Sequence, residues 1–331
     1  MTKRLLAVSL LTVLSAFPAA AQLALGDING TINYSGSALP QTVEGWVAYL
    51  DLSSGAFTPV VTSKSTECEQ HPNTVEVADT KTFAANKHAF VAITANTGPF
   101  VPDHPSCLAP VGLLMSNGQL VHPQEDCGLE LYFTDKTHAA ITDGPLPDIG
   151  NDITWAVSGT TKTDNDCLPM NDPLNPQPLG GLLVHHGQVG PCVAPKSTSI
   201  TFRSAAGLDV TGTILILVAI TGMNGSPGLR LPDFSSLLIG LGAYQAVNFD
   251  GGGSTAFVWN PVDVPESEAL VNMMTHAHFP AGVPNGNAFK FSVSHRNPAT
   301  SHISYCVQEP DKCRLVFAGL GFTLAPTAKK K

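Results

Sequence analysis

The stretch Thr213-Ile-Leu-Ile-Leu-Val-Ala-Ile220 is followed by Pro232-Asp-Phe-Ser-Ser-Leu-Leu-Ile-Gly-Leu241, then by Ala246-Val-Asn-Phe249, and at once by Asp250-Gly251-Gly252-Gly253-Ser254-Thr255. The first run is apolar at both sets of alternating positions, so it is expected as a mid-sheet strand covered on both faces. In the second, Pro232 suits a first turn and Asp233 complements the positive end of a helix dipole. Phe234, Leu237, Leu238 and Leu241 then recur at helical spacing, and Gly240 or Gly242 ends the helix. Ala246–Phe249 reads as a second strand. Three glycines directly after that strand and an acidic residue let the backbone come close to a ligand, with amides free to point at an anion. The competing reading of the glycines is a tight exposed turn.

Outside this stretch, short apolar runs alternate with Gly, Pro, Asn and Asp, which predicts a strand-rich chain with few helices and many turns. The expected class is α+β (mixed α/β): a single domain with mixed sheets, stapled by disulfides. Further strands are expected at Gly45–Leu50, Ala89–Thr94, Leu113–Met115 and Leu182–His185, and a second helix at Thr80–Lys87. Residues 164–178 read as a surface loop. Residues 22–74 are expected as an N-terminal strand-rich part, 75–325 as the main body of the domain, and 326–331, with Lys329-Lys330-Lys331, as a disordered tail.

The beginning of the chain reads as an export signal. Lys3 and Arg4 precede an apolar run from Leu5 to Phe17, and Ala19-Ala20-Ala21 supplies the small residues that signal peptidase needs. Residues 1–21 are therefore expected to be removed before Gln22, which makes the protein secreted or periplasmic, with no membrane insertion afterwards. Losing Lys3 and Arg4 from 17 basic residues leaves 15 against 26 acidic ones. That surplus of negative charge disfavours nucleic acid and anionic membranes as partners. In an exported chain the seven cysteines are expected in disulfides rather than in catalysis. Cys306 with Cys313 and Cys167 with Cys192 are sequence-close candidates, but spacing does not fix the connectivity. No Cys-x-x-Cys pair suggests zinc. His276-Ala277-His278 would put two imidazoles on one face of a strand, yet lacks a carboxylate partner, so no metal ligand is assigned. Ser254 lacks the strand-to-helix elbow of an acyl-transfer nucleophile.

The glycine run has an upstream companion, Phe202-Arg203-Ser204-Ala205-Ala206-Gly207-Leu208-Asp209, with Gly228-Leu229-Arg230-Leu231 between them. Together with Ala246–Thr255 these segments resemble the phosphodiester glycosidase family, whose signature reads Ala-(hydrophobic)-Asn-Leu-Asp-Gly-Gly-Gly-Ser. Val91–Phe100, Pro110–Leu114 and Asn117-Gly118 are similar to its upstream strands, so the resemblance covers roughly residues 75–260. Three positions depart from it. Thr94 stands where the family has Asn, Pro99 replaces an aromatic, and Thr221-Gly222-Met223 replaces Asp-Gly-(Arg or Gln).

The resemblance implies cleavage between a sugar's anomeric carbon and a phosphodiester oxygen, on a glycan or sugar-phosphate substrate. Phosphate leaves readily, so cationic and amide donors matter more than a general acid. Asp250 is the expected catalytic carboxylate, either stabilising an oxocarbenium-like centre or activating water. Arg203, whose fork fits two phosphate oxygens, is the expected phosphate clamp. Asn96, Gly251, Gly252, Gly253, Ser254 and Thr255 are assigned to substrate positioning. No cofactor is called for, and the question of a metal ion stays open. The alternative is a noncatalytic envelope protein that binds glycans or sugar phosphates on the same scaffold.

Overall fold

The computed structural model describes residues 21–34, 39–98, 100–101, 104–124, 129–142, 152–159, 182–190, 193, 199–277, 279, 288–306, 314, 316 and 318–325. Residues 1–20, the loop at 164–178 and the tail at 326–331 lie outside them, as do Cys127, Cys167, Cys192, His278 and Cys313.

An eight-stranded sheet organises the molecule. Its neighbours in order are Gln188–Val189, Leu182–His185, Gln245–Asn248, Arg203–Leu208, Ile214–Thr221, Gln41–Asp51, Gln22–Asn33 and Ala288–Arg296. The long apolar run forms Ile214–Thr221, one residue later than expected, and lies fifth of eight with both faces covered. Its side chains divide by parity: Leu215, Leu217 and Ala219 enter one core, Ile216, Val218 and Ile220 the other. Helix α2, Leu231–Gly240, lies over the second core and buries Phe234, Leu237 and Leu238. Each such burial contributes about 1.5–3 kcal/mol. Tyr49 Oη adds a buried bond to the Leu241 carbonyl at 2.8 Å.

The first core is closed by a five-stranded sheet, ordered Ile303–Cys306, Ala256–Trp259, Val91–Thr94, Gly319–Leu324 and Phe57–Val61. Trp259, Phe57, Phe133, Phe249, Phe257 and Phe322 fill it. Helix α1, Thr80–Lys87, has the bounds the sequence predicts; Asp79 accepts from the Thr82 amide, and His88 ends the helix at φ 53°. Phe83 and Ala84 press it onto the outer side of that sheet. Another five-stranded sheet runs Ala139–Ile141, Glu130–Phe133, Trp155–Ser158, Leu114–Ser116, Gln119–His122. A small three-stranded sheet holds Val75–Glu76, His104–Leu108 and Phe100–Val101.

Two expectations need correction. The sheets are antiparallel rather than mixed: every strand ladder among the described residues is antiparallel, and the strand content outweighs the helices. Short hairpins permit only that arrangement, as where residues 209–213 join Arg203–Leu208 to Ile214–Thr221. The crossover through α2 skips a strand, so Gln245–Asn248 lands beside Arg203–Leu208 and antiparallel to it, and the connection through α1 likewise leaves Gly319–Leu324 between Phe57–Val61 and Val91–Thr94. Likewise, His276 does not sit on a strand. It caps helix α3, Glu268–Thr275, and its ring nitrogen Nδ1 lies 3.1 Å from the Asn272 carbonyl. No cluster of three or more His, Cys, Asp or Glu side chains that could hold a metal occurs among the described residues.

Cys68 and Cys107 form a disulfide, and Cys306 is disulfide-bonded too. The suggested pairings of Cys306 with Cys313 and Cys167 with Cys192 fall outside the described residues. No helix among those residues is long and apolar enough to cross a membrane.

Candidate functional site

The segment Phe249–Thr255 is where the chain leaves the eight-stranded sheet at Asn248 and enters the five-stranded one at Ala256. Both sheets grip it. The Asp250 amide donates to the Ala95 carbonyl at 2.9 Å, on the extension of strand Val91–Thr94. From the other sheet, Ser204 Oγ donates to the Asp250 carbonyl, and the Phe249 amide donates to the Ser204 carbonyl at 2.9 Å. Thr94 Oγ1 donates to the Ser254 carbonyl at 2.7 Å and meets Thr80 Oγ1 at 3.1 Å. The Thr at position 94, a departure from the family pattern, is therefore a brace for the loop.

The Asp250 carboxylate is half-buried and accepts from the Gly251 amide at 2.9 Å. Burial pushes its pKa up; hydrogen bonds from Ser254 and Gly251 and the charge of Arg314 pull the other way. The glycines serve the chain itself more than the sequence suggests. Gly252 adopts φ 58°, and a Cβ at Gly251 would lie 2.9 Å from the Phe202 carbonyl oxygen. The amides of Gly251, Gly252, Ser254 and Thr255 all donate within the protein, to Asp250 Oδ1 and to the carbonyls of Phe202, Gly251 and Gly252. The expected open cradle of amides is thus reduced, among the described residues, to that of Gly253. The Thr255 hydroxyl is buried without an internal partner.

Arg203 is buried beside the loop, with its Cα 3.9 Å from where a Gly251 Cβ would stand. Its Nε donates to the Leu229 carbonyl at 3.1 Å and an Nη to the Ser199 carbonyl at 3.0 Å. Arg314, an exposed residue to which the sequence reading gave no role, is among the groups that lower the Asp250 pKa.

Asn96 is fully buried and fully engaged. Its Nδ2 donates to the carbonyls of Val111 and Leu113 at 2.9 and 3.2 Å, and its Oδ1 accepts from the Ser158 amide at 3.3 Å. It ties the end of Val91–Thr94 to the second five-stranded sheet. Gly112, at φ 76°, is needed there, because a Cβ would stand 2.5 Å from Ser158 Oγ.

Behind Ser158 lies a carboxyl that the sequence did not single out. Glu130 has no exposed surface; Thr142 Oγ1 donates to it at 2.9 Å and Ser158 Oγ approaches at 3.5 Å. Burial raises its pKa to about 7, against the pull of the hydrogen bonds from Thr142 and Ser158. Its only sequence signal is an acid opening the strand Glu130-Leu-Tyr-Phe133, which is no more than a common strand edge.

Residues 82–290, more than half of the chain, match the family model described as phosphodiester glycosidase. The fold is similar to the catalytic domain of zebrafish N-acetylglucosamine-1-phosphodiester alpha-N-acetylglucosaminidase, a structure described as auto-inhibited by its pro-peptide. That likeness has a TM-score of 0.52 at 16% identity and covers 92% of this chain and 88% of that one. A hypothetical protein from Synechocystis aligns with a TM-score of 0.44 at 16% identity, over 91% and 62% of the two chains. A putative exported protein from Burkholderia pseudomallei aligns with a TM-score of 0.45 at 12% identity, over 87% and 75%. No curated protein matches the sequence.

Proposed function

The chain belongs to the phosphodiester glycosidase family, and from that premise we propose that it is an exported hydrolase that splits a sugar from a phosphodiester at the anomeric carbon. The observation that carries this reading is the Asp250 carboxylate, half-buried at the junction of two sheets and raised in pKa by that burial. A desolvated carboxylate is a stronger base than one in water, which favours water activation over permanent charge stabilisation.

In the proposed step Asp250 accepts a proton from water while the water oxygen bonds to the anomeric carbon. The carbon–oxygen bond to the phosphoryl group breaks and its electron pair departs with phosphate. The products are the free sugar and a phosphate monoester, with the water proton left on Asp250. Ser254 and the Gly251 amide hold the carboxylate in place.

Arg203 gives two of its five N–H donors to the Leu229 and Ser199 carbonyls. Its proposed part is to hold residues 199–203 against 228–229 beside the loop. Arg314, exposed and electrostatically linked to Asp250, is the cation proposed for the departing phosphate. Asn96 positions strand ends, and Gly252, Gly253 and Thr255 shape the loop.

The test is a panel of sugar-1-phosphodiesters incubated with the purified mature chain. Free sugar and phosphate monoester should appear in equal amounts, and Asp250→Asn should slow their release by roughly a hundredfold or more. A wild type that binds a member of the panel and hydrolyses none would replace this reading with that of a binding protein.

A further inference from the structure

A polar cleft of about 250 Å³ opens at the same end of the eight-stranded sheet as Asp250. Its walls come from three adjacent strands, Gln22–Asn33, Gln41–Asp51 and Ile214–Thr221, with Arg296 from the edge strand. The register places Asp27 opposite Trp46, Asn29 opposite Glu44, and Glu44 opposite Thr221, so these side chains share one face. Deeper along that face Leu25, Ala48 and Leu217 belong to the core between the sheets. At its outer end the pattern changes from apolar to charged without any change of parity. A sheet edge needing only to be solvated has no reason to pair planar polar groups around an aromatic floor.

The chemistry is ordered. Arg296 Nε donates to both oxygens of Asp27 at 3.0 Å, and Asn224 Nδ2 donates to both oxygens of Glu44 at 3.0 and 2.8 Å. Trp46 forms the floor, fixed by Tyr305 at 5.1 Å and Phe257 at 6.0 Å between ring centroids. The Asp27–Arg296 charges cancel and Glu44 adds one negative charge, which opposes a phosphate. Planar donors and acceptors over an aromatic face suit the alternating hydroxyls and C–H groups of a sugar ring. The volume, below the ~300–1,000 Å³ typical of drug-sized ligands, suits a single ring. Of the lining residues only Thr221, Met223 and Asn224 fall within the family-matched region 82–290, so the cleft belongs mainly to parts of this chain outside it.

The cleft is joined to the Asp250 loop. Tyr305 Oη accepts from the Gly222 amide at 2.7 Å, a Cβ at Gly222 would lie 2.5 Å from the Phe202 ring, and the Gly252 amide donates to the Phe202 carbonyl. Strand Gln41–Asp51 is three places from Gln245–Asn248 in the sheet. At ~4.8 Å per strand that is about 14 Å, a span of more than one ring.

We propose that this cleft is a subsite for a neutral glycosyl unit, so that the substrate extends past the phosphodiester-linked sugar. The proposal rests on the phosphodiester glycosidase reading for its place in catalysis but not for its binding chemistry. The test is ligand-observed NMR with methyl glycosides of glucose, galactose, mannose and N-acetylglucosamine, and with the corresponding 1-phosphates. At least one neutral glycoside should bind, and Asn224→Ala or Glu44→Gln should weaken it by about fivefold or more. Asp250→Asn should leave that affinity unchanged, and circular dichroism should show all variants folded. Absence of binding by every neutral glycoside, or binding that responds to Asp250→Asn and not to Asn224→Ala, overturns the subsite. Neutral glycoside binding by a wild type that hydrolyses no sugar phosphodiester would overturn the enzymatic reading and leave the subsite standing.

Discussion

The Asp250 amide donates to the Ala95 carbonyl at 2.9 Å, so the carboxylate at the centre of the site hangs from a bond between two sheets. Ser204 and Thr94 complete the attachment, one from each sheet. A loop held from both sides cannot shift unless the sheets move apart, and that fixes the direction in which the carboxylate points.

Thr94→Val keeps the shape of a fully buried side chain but deprives the Ser254 carbonyl and Thr80 hydroxyl of their partner. Unmet buried polar groups cost about 1–3 kcal/mol each. Chemical denaturation should show a loss in that range, accompanied by a drop in turnover larger than any change in KM. A variant as stable and active as the wild type would mean the brace is not needed.

Arg314 lowers the pKa of Asp250 through its charge, so Arg314→Ala should let that pKa rise. Catalysis that needs the ionised carboxylate would then lose its acidic limb at a higher pH than in the wild type. Both residues are reachable by solvent, so the displacement should shrink in salt, where the Debye length falls from about 10 Å at 0.1 M to 3 Å at 1 M. An acidic limb that stays in place at low salt would remove Arg314 from the site.

Glu130 binds its proton more tightly in the folded chain, with a pKa raised by burial to about 7, than in the unfolded one. The folded state then holds more protons between the two values, so the stability this group contributes is complete below the unfolded pKa and falls as pH rises to about 7. The amount lost is about 3 kcal/mol, taking 1.36 kcal/mol per unit. Glu130→Gln removes the titration. Its stability relative to the wild type should therefore rise from mildly acidic to mildly alkaline pH, as measured by denaturant midpoints. A difference that is flat with pH would mean Glu130 is ionised as in water.

The fold was legible wherever one physical signal dominated. Ile214–Thr221 announced itself through apolar side chains on both faces and α2 through its spacing. The antiparallel order was not legible, because a helix between two strands normally implies parallel neighbours, and only the register shows that Arg203–Leu208 is interposed. At the site, the sequence pointed to Asp250 and its glycines. It gave no means of knowing that four loop amides are spent within the protein or that Arg203 serves carbonyls. Hydrogen-bond satisfaction is a property of the packed chain. Glu130 and the cleft at Trp46 were silent for the same reason: strands far apart in sequence bring their groups together.

The central claim, that the chain is a glycosidase and breaks the sugar side of the phosphodiester bridge, is tested most directly by hydrolysis in heavy-oxygen water followed by mass spectrometry of both products. The account predicts that the heavy oxygen enters the free sugar at its anomeric hydroxyl, with the phosphate monoester unlabelled, and that Asp250→Asn slows this labelling by roughly a hundredfold or more. Heavy oxygen in the phosphate monoester, with the sugar unlabelled, would show attack at phosphorus and contradict it.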